Sequence, residues 1–305
     1  KVSAFRLPST GPRRLPWVRL PRLRVEFIAK LLFPAALCAS FAGLAVERAA
    51  MDEAMECAAE PEARPFGLFG LFLSTLCIFL IAAGLLAVMA GLLALVDGLL
   101  HGWGDIHLRF RALLGGGSVD QMAAAGLFIG SAAYLAASLA VVIMARWRAG
   151  VLWRGLLGWT SFSASRGFWL LLLAAVAYQM AAGALVRHIH PEAKNWLILP
   201  DGPLGLAGAF VLVAILAPIA EELLFRGWLF TALRWRFGFR PALWVTAVLF
   251  ALAHWESSHL YALAILPMGL LLGFLRERTG STQATILFHG LYNFAGLAMS
   301  FLGKL

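Results

Sequence analysis

The feature that most constrains this chain is a series of long runs without charge. Apolar stretches cover residues 27–46, 66–96, 122–145, 168–187, 204–233, 242–255, 260–275 and 284–302. About 20 apolar residues in helical conformation span the roughly 30 Å of bilayer hydrocarbon. Several of the runs reach that length, the second exceeds it, and 242–255 and 260–275 are short for a full crossing. A chain that must satisfy its backbone hydrogen bonds inside lipid does so as helices or as a closed barrel. Continuous apolar runs of this length select helices. The expected fold is therefore all-α, a polytopic transmembrane bundle of about eight spans.

Composition closes off the alternatives. The 305 residues are 61% hydrophobic and only 13% charged, against about 25% charged in an ordinary soluble domain. So few charges cannot coat a soluble globule. Three cysteines, Cys38, Cys57 and Cys77, provide neither a disulfide framework nor a CxxC metal site. No soluble domain fits between the runs, and no internal repeat is visible.

The net charge of +9 points to membrane topology rather than to nucleic acid, because the charges are segregated. Residues 1–26 are basic and 47–65 are acidic, and they flank the first apolar run. By the positive-inside rule the N-terminus is cytoplasmic, and the basic tail suits anionic lipid headgroups. With eight simple crossings, however, the loop holding Arg146, Arg148, Arg154 and Arg166 would fall outside. The clusters Arg234/Arg236/Arg240 and Arg276/Arg278 prefer the same side as that loop. A re-entrant or interfacial segment at 101–118 or 151–163, or a misread first span, would resolve the conflict. The later clusters set the expected orientation of the C-terminal half, with their side cytoplasmic. The expected organisation is a basic tail over 1–26, N-terminal membrane helices over 27–200 and a catalytic helical core over 201–305. The expected location is a bacterial-type inner or plasma membrane.

Ionisable side chains at membrane depth cost roughly 2.5–3.5 kcal/mol each on insertion scales. Three places in this chain bear polar groups at such depth. Glu221, Glu222 and Arg226 follow an apolar run and Pro218. Glu222 and Arg226 are four apart and share a helix face, whereas Glu221 is rotated by about 100° and has no local partner. Phe250 and His254 share a face on the next span, and His289 and Asn293 share one on the last. Each could be a packed, internally satisfied polar residue. Together they are best satisfied around one buried polar cavity, which would hold carboxylates, two imidazoles, an amide and a guanidinium. That set suits activation of water and stabilisation of an oxyanion.

Glu-Glu-x-x-x-Arg, then Phe-x-x-x-His, then His-x-x-x-Asn, on successive helices, resembles the CPBP family of intramembrane proteases. The family includes type II CAAX prenyl endopeptidases and Abi bacteriocin-processing or immunity proteins. The resemblance covers about 204–302, a third of the chain. It implies that Glu221 and His254 polarise a water for attack on a peptide carbonyl. It also implies that His289 and Asn293 hold the oxyanion, with Glu222, Arg226 and Phe250 in support. The substrate would be a protein or peptide with a membrane-associated tail. Glu221, His254 and His289 are also a candidate zinc set. No H-E-x-x-H helix is present, and a metal-independent glutamate mechanism is the preferred expectation. The competing readings are a non-catalytic peptide-binding immunity or scaffold protein and a small-solute transporter. A transporter normally carries matching broken helices in two halves, and here the polar groups cluster at one end of the sequence.

Other polar residues have plainer readings. His188 and His190, Glu256 and His259, and His101 and His107 fall in loops. Trp103, Trp147, Trp153, Trp159 and Trp196 suit the interfacial belt. Gly115–Gly117 lacks the Lys-Ser/Thr of a phosphate loop.

Overall fold

The computed structural model describes residues 67–105, 119–189, 202–255 and 260–302, all in helices or their connections. Among these residues there is no strand. The helices are α1 (Leu68–His101), α2 (Val119–Ala149) and α3 (Arg166–Ile189). A continuous rod, α4, then covers 202–237, followed by α5 (Phe239–Ala253), α6 (Leu260–Thr279) and α7 (Thr282–Leu302). Five segments are long and apolar enough to cross a membrane: Leu68–His101, Ala125–Leu156, Arg166–Ile189, Gly205–Phe237 and Leu260–Thr279. The 15-residue α5 is apolar but shorter. The apolar run 27–46 lies outside the described residues. The run expected at 260–275 is a 20-residue helix, long enough to span.

The surface supports a lipid solvent. On α1, Phe69, Phe72, Leu80, Leu99 and Leu100 are all exposed. Such a face would be an aggregation liability in water. The buried residues fall into two main clusters. One joins α1, α2 and α4 through Ile78, Val141, Met144, Leu157, Trp228 and Phe230. The other joins α3, α6 and α7 through Phe168, Leu171, Leu272, Phe288 and Tyr292. A hydrogen bond from Trp228 Nε1 to Thr75 Oγ1 (3.2 Å) ties α4 to α1.

The connection after α2 is a 3₁₀ turn, Gly150–Leu152, and one helical turn, Trp153–Leu156. Leu157 beyond it is fully buried, and Arg146 and Arg154 stack on Trp153. This segment is laced to the α6–α7 turn. Thr282 N–H donates to Gly158 O (2.8 Å), and Thr282 Oγ1–H donates to Leu157 O (2.6 Å). Arg234 makes a two-pronged ion pair with Glu277 at the same end. Arg146, Arg148, Arg154, Arg166, Arg234, Arg236, Arg240, Arg276 and Arg278 therefore gather at one end of the bundle. Each described helix reverses the one before, so this is also the end at which α1 starts; the conflict with a cytoplasmic N-terminus turns on the run 27–46, outside the described residues.

Close approach of helices depends on small residues, as in other membrane bundles. A Cβ at Gly290 on α7 would sit 2.7 Å from Ala214 O on α4, and one at Gly269 on α6 would sit 3.1 Å from Ala247 O on α5. By contrast, Gly84 on α1 faces open space. Gly290→Ala is expected to force α4 and α7 apart and to cost about 1–3 kcal/mol. Gly84→Ala removes a flexible glycine from a helix interior and is expected to be neutral or stabilising. Thermal unfolding in detergent distinguishes the two, and equal midpoints for both variants would rule out the proposed close contact.

Candidate active site

The site begins with irregularity in α4. This rod alternates α-helical segments, Gly202–Phe210, Ala217–Glu222 and Phe230–Phe237, with two π-helical segments, Val211–Leu216 and Leu223–Leu229. Such widened turns frequently mark functional sites. In the first, Ala217 N–H bonds to Leu212 O, five residues back. The next donor in that register would be Pro218, which has no N–H, so Val213 O is left over. Asn293 Nδ2 on α7 donates to it at 2.9 Å. One amide hydrogen of Asn293 thus satisfies a backbone carbonyl inside the bundle, and the other is not used in this bond.

Glu222 and Arg226 lie one turn apart on α4 and both are 0% exposed. Arg226 Nη1 donates to Glu222 Oε1 at 2.8 Å, and Arg226 Nη2 donates to Gly269 O on α6 at 2.9 Å. The guanidinium carbon lies 4.4 Å from the centre of the Phe250 ring on α5, a cation–π contact in a desolvated setting. Glu222 Oε1 also accepts from His289 Nδ1 on α7 at 3.0 Å. One ion pair thereby ties α4, α5, α6 and α7 together.

His254 does not lie within its helix as the apolar run implies. α5 ends at Ala253, and His254 occupies the cap with φ −100° and ψ 19°. Its Nδ1 is 2.8 Å from Phe250 O. A carbonyl only accepts, so Nδ1 carries the hydrogen and Nε2 faces outward. His289 is held the same way, with Nδ1 donating to Glu222 Oε1. Both Nε2 atoms face Glu221 Oε2, each at 3.9 Å. Phe250 packs against both imidazoles, at ring separations of 4.7 Å and 5.7 Å. Glu221 is 14% exposed and His254 is 23% exposed, so these two side chains remain accessible while the ion pair behind them is sealed.

The structure thus brings Glu221, His254 and His289 together, with Glu222, Arg226 and Phe250 behind them. Asn293 joins through α4's backbone. One member was missed in the sequence. Tyr134 on α2 donates from its hydroxyl to Glu221 Oε1 at 3.0 Å. A tyrosine within an apolar span needs a partner for its hydroxyl, and that requirement was the available signal.

The chemistry of Glu221, His254 and His289 suits a metal, since each imidazole has its Nδ1–H fixed by an acceptor. Their spacing does not. Donors at about 2.0–2.1 Å from a tetrahedral zinc lie about 3.3 Å apart. Among the described residues, no group of three or more His, Cys, Asp or Glu side chains forms such a cluster.

Replacing Arg226 with Met leaves Glu222 buried beside one imidazole and without its guanidinium. Loss of one partner from a buried pair costs about 3–5 kcal/mol. Chemical unfolding of Arg226→Met in detergent should show a loss of that order. The double variant Arg226→Met, Glu222→Leu should recover part of it. A single variant as stable as the wild type would remove the pair from its anchoring role.

No curated protein and no solved structure matches the chain. Residues 203–295, which carry all of these groups except Tyr134, match the family model described as type II CAAX prenyl endopeptidase Rce1-like. With its apolar helices the chain is an integral membrane protein, and its residues 203–295 are similar to that protease family.

Proposed function

We propose that this protein is an intramembrane endopeptidase that hydrolyses a peptide bond near the C-terminus or in a membrane-proximal segment of its substrate. The observation that carries the reading is the convergence of Glu221, His254 and His289 from three helices. Glu221 Oε2 lies 3.9 Å from each Nε2. This separation is too long for a direct hydrogen bond, so the carboxylate and both imidazoles face one another with their polar atoms free for a reacting water.

In the proposed reaction, Glu221 and His254 Nε2 polarise that water and take its proton. The water oxygen bonds to the substrate carbonyl carbon, and the carbonyl π pair moves onto its oxygen. His289, backed by the Glu222 carboxylate, presents an Nε2–H in its protonated form. That N–H and the second amide hydrogen of Asn293 stabilise the oxyanion. Collapse restores the C=O and breaks the C–N bond, and the leaving amine takes up the proton held by Glu221 and His254. Glu222, Arg226 and Phe250 hold the helices and rings in register. No metal enters these steps.

The same reading includes a small water-filled cavity at the site and about eight spans in all. It sets the arginine-rich end of the bundle on the cytoplasmic side of a bacterial-type membrane, and a cytoplasmic N-terminal tail then requires that the run 27–46 does not make a full crossing. The proposed substrates are prenylated or otherwise membrane-associated protein tails; the matching family model, described as a CAAX prenyl endopeptidase, supports the prenylated class.

Glu221→Gln keeps the shape and the acceptor oxygen but cannot take a proton. It is expected to abolish cleavage, with a loss of at least about 10²-fold, while preserving the unfolding midpoint. Protein termini in membranes from cells expressing wild type and Glu221→Gln are compared by mass spectrometry. Termini present only with the wild type identify the substrate, and identical profiles with no cleavage by the purified wild type sink the protease reading. Saturating chelator is expected to leave the activity unchanged; loss in chelator with recovery on added zinc would overturn the metal-free mechanism.

A further inference from the structure

The Rce1-like match begins at residue 203, yet the carboxylate it contributes is not held by that segment alone. Glu221 Oε1 accepts the Tyr134 hydroxyl at 3.0 Å, leaving Oε2 as the atom that faces both imidazoles. We infer that Tyr134 is a positioning residue for Glu221: it anchors one carboxylate oxygen so that the other is presented to the water. The inference rests on the hydrolytic reading of the site.

The approach of α2 to α4 is built for this contact. A Cβ at Gly130 would meet Leu212 Cδ2 at 3.3 Å, and one at Gly208 would meet Leu127 Cδ1 at 3.2 Å. Tyr134 lies one turn beyond Gly130, on the same face of α2. Glycine at both crossings lets the axes approach until a side chain of tyrosine length ends at the carboxylate. Pro218 and the widened turns of α4 set the azimuth of Glu221, but a glutamate has three rotatable bonds and a local backbone cannot fix its terminal group. A phenolic O–H from a second helix can. Without it the carboxyl rotates so that either oxygen, or neither, faces the imidazoles. An error of about 1 Å in a reacting group costs on the order of 10²-fold in rate.

The test uses the full-length purified protein with Tyr134→Phe, which removes only the hydroxyl. Tyr178→Phe is the comparison, because its hydroxyl also bonds across helices, at 2.9 Å, but to the backbone carbonyl of Ala264 rather than to Glu221. Two quantities are read. One is the rate at which a hydrophobic carbodiimide labels Glu221, followed by mass spectrometry and independent of turnover. The other is the kcat and KM for a substrate identified from the terminal profiles. Tyr134→Phe should label several-fold faster, because Oε1 has lost its donor. Its kcat should fall about 10- to 100-fold, with KM within about twofold and the unfolding midpoint unchanged. Tyr178→Phe should alter neither quantity. Unchanged labelling, a kcat loss matched by Tyr178→Phe, or a rise in KM alone overturns the positioning role. Faster labelling in a protein whose wild type cleaves no peptide supports the Tyr134–Glu221 contact and defeats the protease reading instead.

Discussion

The structure depends on one buried ion pair. Glu222 and Arg226 are both fully inaccessible, and neither can reach water through lipid. Their charges must be answered by protein, and each answer comes from a different helix. Gly269 O supplies an acceptor from α6, the Phe250 ring supplies a π face from α5, and His289 supplies a donor from α7. A hydrophobic interior between helices provides little orienting force in a membrane, where lipid is as apolar as the side chains. The ion pair fixes which faces of four helices meet, and so decides where the remaining polar groups point.

That constraint divides the polar groups into sealed and accessible chemistry. Glu222 and Arg226 are sealed from solvent as a pair. Glu221, the neighbour of Glu222 in sequence, is turned by one residue's rotation and faces His254, His289 and Tyr134. Adjacent carboxylates thereby acquire different surroundings. The first is accessible and hydrogen-bonded to a neutral phenol, and the second is buried against a cation. The irregular winding of α4 is part of the same arrangement. Its π turns and Pro218 leave Val213 O unpaired along the rod, and Asn293 meets that need.

Much of this was legible in the residues. Helices α1 to α7 coincide with apolar runs, because the length of an uncharged run measures the bilayer directly. The i, i+4 spacing of Glu222 with Arg226 predicted their pairing, and the pairing is present. The gathering of Glu221, His254 and His289 was expected because isolated polar groups at that depth are too costly. The misses have physical reasons. His254 looked like a mid-helix residue because hydropathy is blind to where a helix ends. The donor of Asn293 goes to Val213 O, since a free carbonyl created by a proline five residues on has no signature in composition. Tyr134 escaped notice because a tyrosine in an apolar run is ordinary until its partner is known. The alternation of the described helices places the arginines of 146–166 with the later basic clusters, as their charges require; the conflict with the basic tail turns on the run 27–46, outside the described residues.

The sequence by itself determined the solvent, the helical class and the inventory of reactive groups. Apolar length and the cost of buried charge are properties of segments and need no knowledge of neighbours. Tertiary structure alone decided how that inventory is used. It set which oxygen of Glu221 is anchored and which faces the histidines, which nitrogen of each imidazole is committed, and which helix outside the matched segment reaches the site. Those choices depend on hydrogen-bonding and near-contact distances between residues far apart in the chain. Such distances arise only when glycines allow the helices to close and a buried charge dictates which faces they present.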